Sequence, residues 1–239
     1  MCSRCGGVLL RADSPLSTCR ACRMAPPPFV RAVFYGRYEG RMRDAIHALK
    51  YEGLRPAGKR LGGMMAQAIV QLAADAPSEM LVIPIPLHRS KYSQRGFNQA
   101  RMLAVHALAT LREMRPEWRL TLASSTVVRQ RPTESQAGLT PRQRRQNVRG
   151  AFVVPDPQAV TGKNVLLIDD ILTTGATARS VARVLIRAGA AKVWVATLAR
   201  ARLAVDTGND RSPVYSGTDF PMNVGNGRVD DGAGDQPSF

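Results

Sequence analysis

The sequence is poor in aromatic and acidic residues. Aromatics make up 5% of its 239 positions, and 18 acids stand against 34 lysines and arginines, a formal net charge of +16. Scarce aromatics argue against a base-stacking platform for single-stranded nucleic acid. The charge imbalance points to phosphate-bearing partners, on nucleic acid or on a small ligand. No cysteine follows Cys22, so a disulfide framework is excluded for the body of the chain. No apolar run approaches the roughly 18 residues that span a bilayer. No basic start followed by an apolar stretch marks a secretory signal, which predicts a cytoplasmic protein with reduced thiols. Neither a G-x-x-x-x-G-K-[ST] loop nor a G-x-G-x-x-G turn occurs, so phosphate binding of those two kinds is excluded. The 44% hydrophobic content suffices for one ordinary core and a small appendage.

The four cysteines present are Cys2, Cys5, Cys19 and Cys22. Two C-x2-C pairs thirteen residues apart in a reducing compartment read as a tetrahedral Zn²⁺ site. Gly6 and Gly7 suit the tight turn after the first pair. Four sulfurs leave no open position, so the expected role of the ion is structural.

Along the chain, 1–24 forms this knuckle and Ala25 to Phe29 a stiff proline linker. "RAVFYGRYEG" reads as two short strands around Gly36, a hairpin. Met42, Ala45, Ile46 and Leu49 predict a helix ending near Gly53, and a longer one follows from about Gly58 to Ala74. Met80 to Pro86 reads as a buried strand, Leu87 to Gln99 as a basic loop, and Ala100 to Leu108 as helix. "SSTVVR" is read as a strand. Thr140 before Pro141 predicts the start of a short helix, and "GAFVV" a short strand. "NVLLID", a helix from about Thr177 to Ala188, and "KVWVATLA" then form a right-handed crossover between parallel strands. Val181, Val184, Leu185 and Ala188 form the buried face of that helix, and Arg179, Arg183 and Arg187 its solvated face. The expected fold class is α/β, a parallel sheet covered on both sides. Asp206 to Phe239 carries six aspartates against two arginines and reads as a disordered acidic tail.

The most informative stretch is "LLIDDILTTGATA", Leu166 to Ala178. Ligands of open α/β sheets sit beyond the carboxyl ends of the strands, where Asp169 and Asp170 fall. The turn that follows delivers backbone N–H groups and hydroxyls at a helix start, an anion site. Thr173, Thr174 and Thr177 add donors, Ala176 adds its amide, and Gly175 permits close backbone approach. Two carboxylates beside an anion cradle suit a ligand carrying hydroxyls next to its phosphate, as a ribose 5-phosphate does.

This stretch resembles the phosphoribosyl diphosphate (PRPP) signature of type I phosphoribosyltransferases. Together with the cysteine pairs, "IHALKYEG", "VIPIPLHRSKYSQRGFNQA" and "RQRPTESQAGLTPRQRRQNVRGAF", it resembles the ComF family of competence-associated proteins, from the first cysteines to about Arg200. The resemblance implies a knuckle at 1–28, a phosphoribosyltransferase domain at 29–205 and a tail at 206–239. It implies that Asp169 and Asp170 hold the ribose, with 173–177 on the 5-phosphate. It assigns pyrophosphate to the loop carrying Arg89, Lys91 and Arg95, with His88, Asn98 and Gln99 nearby. A catalytic hood would contain Arg129, Arg131, Thr133, Gln136, Arg142, Arg145 and Asn147. Beside Asp169 and Asp170, Arg131 and Arg145 are the catalytic candidates, because an arginine can grip two pyrophosphate oxygens at once. Arg142, Arg144 and Arg145 cannot all face one ligand, so at least one is expected at the surface. Lys50 and Tyr51 fall in a family-like stretch without an assigned role.

The implied activity is Mg²⁺-dependent displacement of pyrophosphate from PRPP by an acceptor that the sequence leaves open. Two readings from other classes stand beside it. One is a non-catalytic PRPP or nucleotide sensor on the same fold. The other is an accessory of DNA uptake, with single-stranded DNA or a protein of the competence machinery as partner.

Overall fold

The computed structural model describes residues 1–9, 17–51, 55–133 and 139–201. The tail expected at 206–239 and the hood residue Gln136 lie outside the described residues.

Five strands form one parallel sheet: β1 (Ala32–Arg37), β2 (Glu79–Pro84), β3 (Arg119–Leu122), β6 (Asn164–Leu172) and β7 (Lys192–Arg200), in the order β1-β7-β6-β2-β3. β6 lies at the centre, with Leu166 opposite Trp194 of β7 and Val82 of β2. Its residues Val165 to Ile168 are all fully buried. Strand side chains alternate between faces, so an unbroken apolar run implies cover on both sides.

That cover is present. On one face Leu166, Ile168, Val82 and Trp194 pack against α2 (Gly40–Tyr51), α3 (Arg55–Val70) and α5 (Gln99–Met114), through residues such as Ile46, Met65 and Leu103. On the other, Val165, Leu167, Ile83 and Val195 pack against Val181 and Leu185 of α7 (Ala176–Arg187). α3 and α5 pack so closely that a Cβ at Gly62 would meet the His106 backbone carbon at 3.0 Å. α1 (Arg20–Met24) lies in the cysteine knuckle, and α6 (Pro141–Asn147) packs on α7. Thr140 and Gln143 form a reciprocal cap at the start of α6, with Pro141 in its first turn, as the Thr-Pro pair predicts.

Four details differ from expectation. "RAVFYGRYEG" is no hairpin: Gly36 continues β1 and pairs with Ala199 of β7. A Cβ there would make only an ordinary contact, 3.8 Å from the Met42 methyl, so neither a turn nor close packing requires this glycine. The basic loop after β2 contains a helix, α4 (Arg89–Arg95), capped by His88 and ended by Gly96 at φ +74°. None of its residues is buried, so it carries no apolar period to read. In "SSTVVR", strand is confined to β4 (Val128–Arg129), which pairs antiparallel with β5 (Phe152–Val153) outside the main sheet. The edge strand β3 alternates polar exposed and apolar half-buried residues, but over four residues that signal is too short to stand out from the sequence.

Topology locates the cleft. From β2 the chain passes through α5 outward to β3, and from β6 through α7 in the opposite direction to β7. The order reverses between β2 and β6, and open α/β sheets bind ligands at such a point, beyond the carboxyl ends of the strands.

Candidate functional site

Beyond β6, Thr173, Thr174 and Gly175 lead into α7. Gly175 sits at the helix N-cap with φ +73°, a left-handed conformation that glycine adopts without steric cost. Having no side chain, it leaves the first turn of α7 without the usual side-chain cap. Thr174 Oγ1 accepts a hydrogen bond from the Ala176 amide at 3.3 Å. Thr173, Thr174 and Thr177 are half-buried, and Gly175 and Ala176 are buried. A glycine-capped, threonine-lined helix start has the donor chemistry of an anion site.

The adjacent acids serve different faces of the sheet. Asp170 follows the parity of Leu166 and Ile168, on the side of α2 and α5. Lys50 Nζ on α2 lies 2.7 Å from Asp170 Oδ2, with both side chains largely buried. Gln99 at the start of α5 donates to the same oxygen at 3.5 Å, and Arg95 donates to Gln99 Oε1 at 3.3 Å. Asn98 positions this corner: its Oδ1 accepts from the Ala100 and Arg101 amides, and its Nδ2 donates to the Ile85 carbonyl. A chain of polar contacts thus runs from the basic loop through Gln99 and Asp170 to Lys50. Burial opposes the Lys50 charge, but the Asp170 carboxylate outweighs it and the pKa of Lys50 is raised.

Asp169 is half-buried, with its Oδ1 accepting from the Asp170 amide at 2.9 Å. Burial, and then the neighbouring Asp170 charge, push its carboxyl up to about 8. The field of Asp169 reaches Arg129, which stacks 5.3 Å above the Phe152 ring and donates from Nη2 to Thr133 Oγ1. Arg129 Nε is buried without a hydrogen-bond partner among the described residues. Burial lowers the Arg129 pKa against the pull of Asp169. Lys91 is half-buried, and its pKa is lowered by burial and then by Arg129, Arg95 and Lys50. Such mutual influence means that α2, the loop after β2 and the β4 ribbon bring their cations into one neighbourhood with the acids of β6.

The remaining hood residues lie farther out. Arg131 is exposed, and its Nη2 donates to the Asn147 and Arg149 carbonyls at 2.9 and 2.8 Å, tying the two ends of the segment together. Arg142 and Arg145 are exposed on α6, whereas Arg144 is half-buried and donates to the Leu139 carbonyl. Asn147 is half-buried and Arg89 exposed. Lys50 emerges as a site residue without a role read from sequence, and Gln99, read as part of the pyrophosphate loop, turns to Asp170. Nothing in their spacing names Asp170 as the partner, although both sit in stretches that the family resemblance marked.

The four cysteines converge. Their Sγ atoms all lie within 4.8 Å of one another, and Cys5 and Cys19 sulfurs are 3.8 Å apart. A tetrahedron with Zn–S bonds of about 2.3 Å has edges of about 3.8 Å. Burial alone would raise Cys2, but hydrogen bonds, foremost that from the Cys19 amide at 3.3 Å, bring its thiol down to about 7. Burial and then the Cys5 charge push Cys22 up. Four clustered thiols cannot all ionise without a cation among them, so this donor set fits a tetrahedral ion such as Zn²⁺.

The parallel sheet, its helices on both faces and the acid-loop-helix junction define a phosphoribosyltransferase-type fold. The family model described as phosphoribosyl transferase domain matches residues 98–230, and the chain belongs to that family. It is 30% identical over 205 residues to "DNA utilization protein YhgH" of Salmonella typhi, covering 84% of each chain. It is 26% identical over 203 residues to "Competence protein F" of Haemophilus influenzae, again covering 84% of each. A solved chain described as "structure of the allosteric regulatory enzyme of purine biosynthesis" is 23% identical, with a TM-score of 0.35, over 59% of this chain and 25% of that one. Among the described residues, no helix is long and apolar enough to cross a membrane.

The raised Asp169 pKa has a consequence for stability. Between the ordinary carboxyl value of 3.8 and about 8, the folded state holds a proton that the unfolded state has released. Stability therefore falls as pH rises through this window, with the slope set by the difference in bound protons. Asp169→Asn should flatten the slope, raising the urea midpoint more at about pH 8 than at about pH 5. A parallel shift at both pH values would contradict the buried, repelled carboxyl.

Proposed function

We propose that the chain is a PRPP-binding phosphoribosyltransferase of the ComF type, with Mg²⁺ carried on the ligand. The observation that supports this most is the meeting of an acid pair, a glycine-capped helix start and three sources of cations at the switch point of the sheet. In this reading residues 173–177 take the 5-phosphate, and Asp169 and Asp170 take the ribose hydroxyls. Arg89, Lys91 and Arg95 take the pyrophosphate, while Arg129, Thr133, Gln136, Arg142 and Asn147 belong to the hood. Arg131 and Arg145 would reach the leaving group when that segment closes, Arg131 giving up its backbone carbonyls. The domain limits follow: knuckle 1–28, catalytic domain 29–205 and tail 206–239. Zn²⁺ in the knuckle would be structural, held by Cys2, Cys5, Cys19 and Cys22.

The reaction would break the bond between the anomeric carbon and the pyrophosphate oxygen and form one from that carbon to the acceptor. Positive charge develops on the sugar, and negative charge grows on the departing pyrophosphate. Asp170, and Asp169 once it releases its proton to the approaching positive charge, would offset the first, the arginines and Lys91 the second. Two carboxylates supply the hard oxygens that Mg²⁺ prefers without forming an octahedral cage, so the ion fits as a passenger on the pyrophosphate. Bound there, it would neutralise leaving-group charge. No nucleophilic side chain is required. Lys50 would hold Asp170 aligned until the ribose hydroxyls arrive.

Calorimetry with PRPP and Mg²⁺ should give a saturable isotherm, and Asp169→Asn with Asp170→Asn should weaken it by at least about a hundredfold, each lost charged hydrogen bond costing about 1.5–3 kcal/mol. An unchanged isotherm contradicts the ribose assignment. Pyrophosphate release on adding an acceptor supports the enzyme, whereas saturable binding without turnover across candidate acceptors supports the sensor.

The charge of +16 and relatives named for DNA utilization and competence favour a second reading, a role in handling nucleic acid. Affinity for single-stranded DNA should then fall by at least about tenfold between about 50 and 200 mM salt. A weak affinity indifferent to salt would remove it.

A further inference from the structure

The last residue of β7 holds the phosphate loop from behind. Arg200 Nη1 donates to the Leu172 carbonyl at 2.9 Å, to the Ala201 carbonyl at 2.8 Å and to the Thr173 carbonyl. Its Nε donates to the Cys5 carbonyl at 3.2 Å. One guanidinium therefore joins the end of β6, the first loop residue and the first cysteine pair. A Cβ at Gly7 would crowd Cys5 Sγ at 3.3 Å and make an ordinary contact with Arg200 Nη2 at 3.6 Å.

A second arginine makes the matching link on the far side of the loop. Arg179 lies in the first turn of α7, and its Nη1 donates to the Ala25 carbonyl at 2.8 Å. Its Nη2 lies 4.0 Å from Cys22 Sγ. Arg179 is half-buried, unlike the exposed Arg183 and Arg187, which corrects its expected place on a solvated face. The loop thus has both flanks strapped to the knuckle, one near Cys5 and the other near Cys22.

Peptide planarity turns this into an aiming device. In a trans peptide the carbonyl and the following N–H point in opposite directions. Turning the Leu172 and Thr173 carbonyls toward Arg200 points the Thr173 and Thr174 amides away from it. A cation shared among carbonyl oxygens makes charge-assisted bonds, stronger than neutral ones.

We propose that Arg200 is a positioning residue for the phosphate loop, anchored on the metal-organised cysteine knuckle, with Arg179 as the second strap. The ligand side of this proposal rests on the phosphate reading of residues 173–177. The positioning side does not, and can be read without ligand.

The test compares wild type, Arg200→Gln, Arg200→Lys, Arg179→Ala and chelator-stripped, reduced wild type. Hydrogen exchange should quicken by about tenfold or more at the amides of 173–177 in Arg200→Gln and in stripped protein, and by about threefold in Arg179→Ala, while amides 165–168 keep their rates. Ribose 5-phosphate affinity should weaken by about tenfold in Arg200→Gln and less in Arg200→Lys, while inorganic pyrophosphate affinity stays within about twofold. Unchanged loop exchange in Arg200→Gln overturns the proposal, as does equal weakening of both ligands. Should Arg200→Gln fail to fold, Arg179→Ala and stripped protein decide on the same amides. Wild type that binds no ribose 5-phosphate removes the functional reading, while the exchange rates still decide the positioning.

Discussion

Two carboxylates on consecutive residues, at the carboxyl end of a strand buried on both faces, impose the constraint that organises this protein. The two carboxylates repel each other, and the Asp170 side chain is almost wholly buried. Because strand side chains alternate, the pair is divided between the two sides of the sheet, and each side answers separately. Lys50 and Gln99 attend Asp170 from α2 and α5, whereas Asp169 keeps its proton more readily and faces Arg129 at longer range. Elements distant in sequence are brought to one edge because that edge carries the charge they balance.

The loop beyond the acids faces the opposite problem. In the proposed reading its amides receive an anion, and amides in a loosely held segment are poorly aimed. Rigidity is supplied from the other side of the peptide planes, through carbonyls held by Arg200 and a first helical turn held by Arg179. Both arginines lead to the cysteine pairs. The knuckle therefore has a mechanical part in the site that its distance along the chain from residue 173 conceals.

Much of this was legible beforehand. The α/β class, the central strand and the acid-loop-helix junction follow from an unbroken apolar run, paired aspartates and T-T-G at a helix start. The cysteine cluster follows from spacing alone. Long periodic helices were readable for the same reason, and the cap of α6 from Thr140 and Pro141. What escaped had no local signal. α4 has no fully buried residue, and the alternation of β3 runs over only four residues. Gly36 lies within a strand and mimics a turn residue. Arg179 sits at a helical spacing that reads as solvated, because its partner carbonyl is 154 residues away. Lys50 and Arg200 take their meaning from tertiary neighbours, which periodicity and motif spacing do not encode.

The central claim is that the acidic rim and the glycine-capped turn together receive a sugar phosphate. A crystal of the full chain soaked with PRPP and Mg²⁺ tests it most directly. The account predicts density for the 5-phosphate within hydrogen-bonding distance of the 173–177 amides, with the ribose hydroxyls on Asp169 and Asp170. A ligand seated elsewhere, with this turn empty and Lys50 still closed on Asp170, would contradict it.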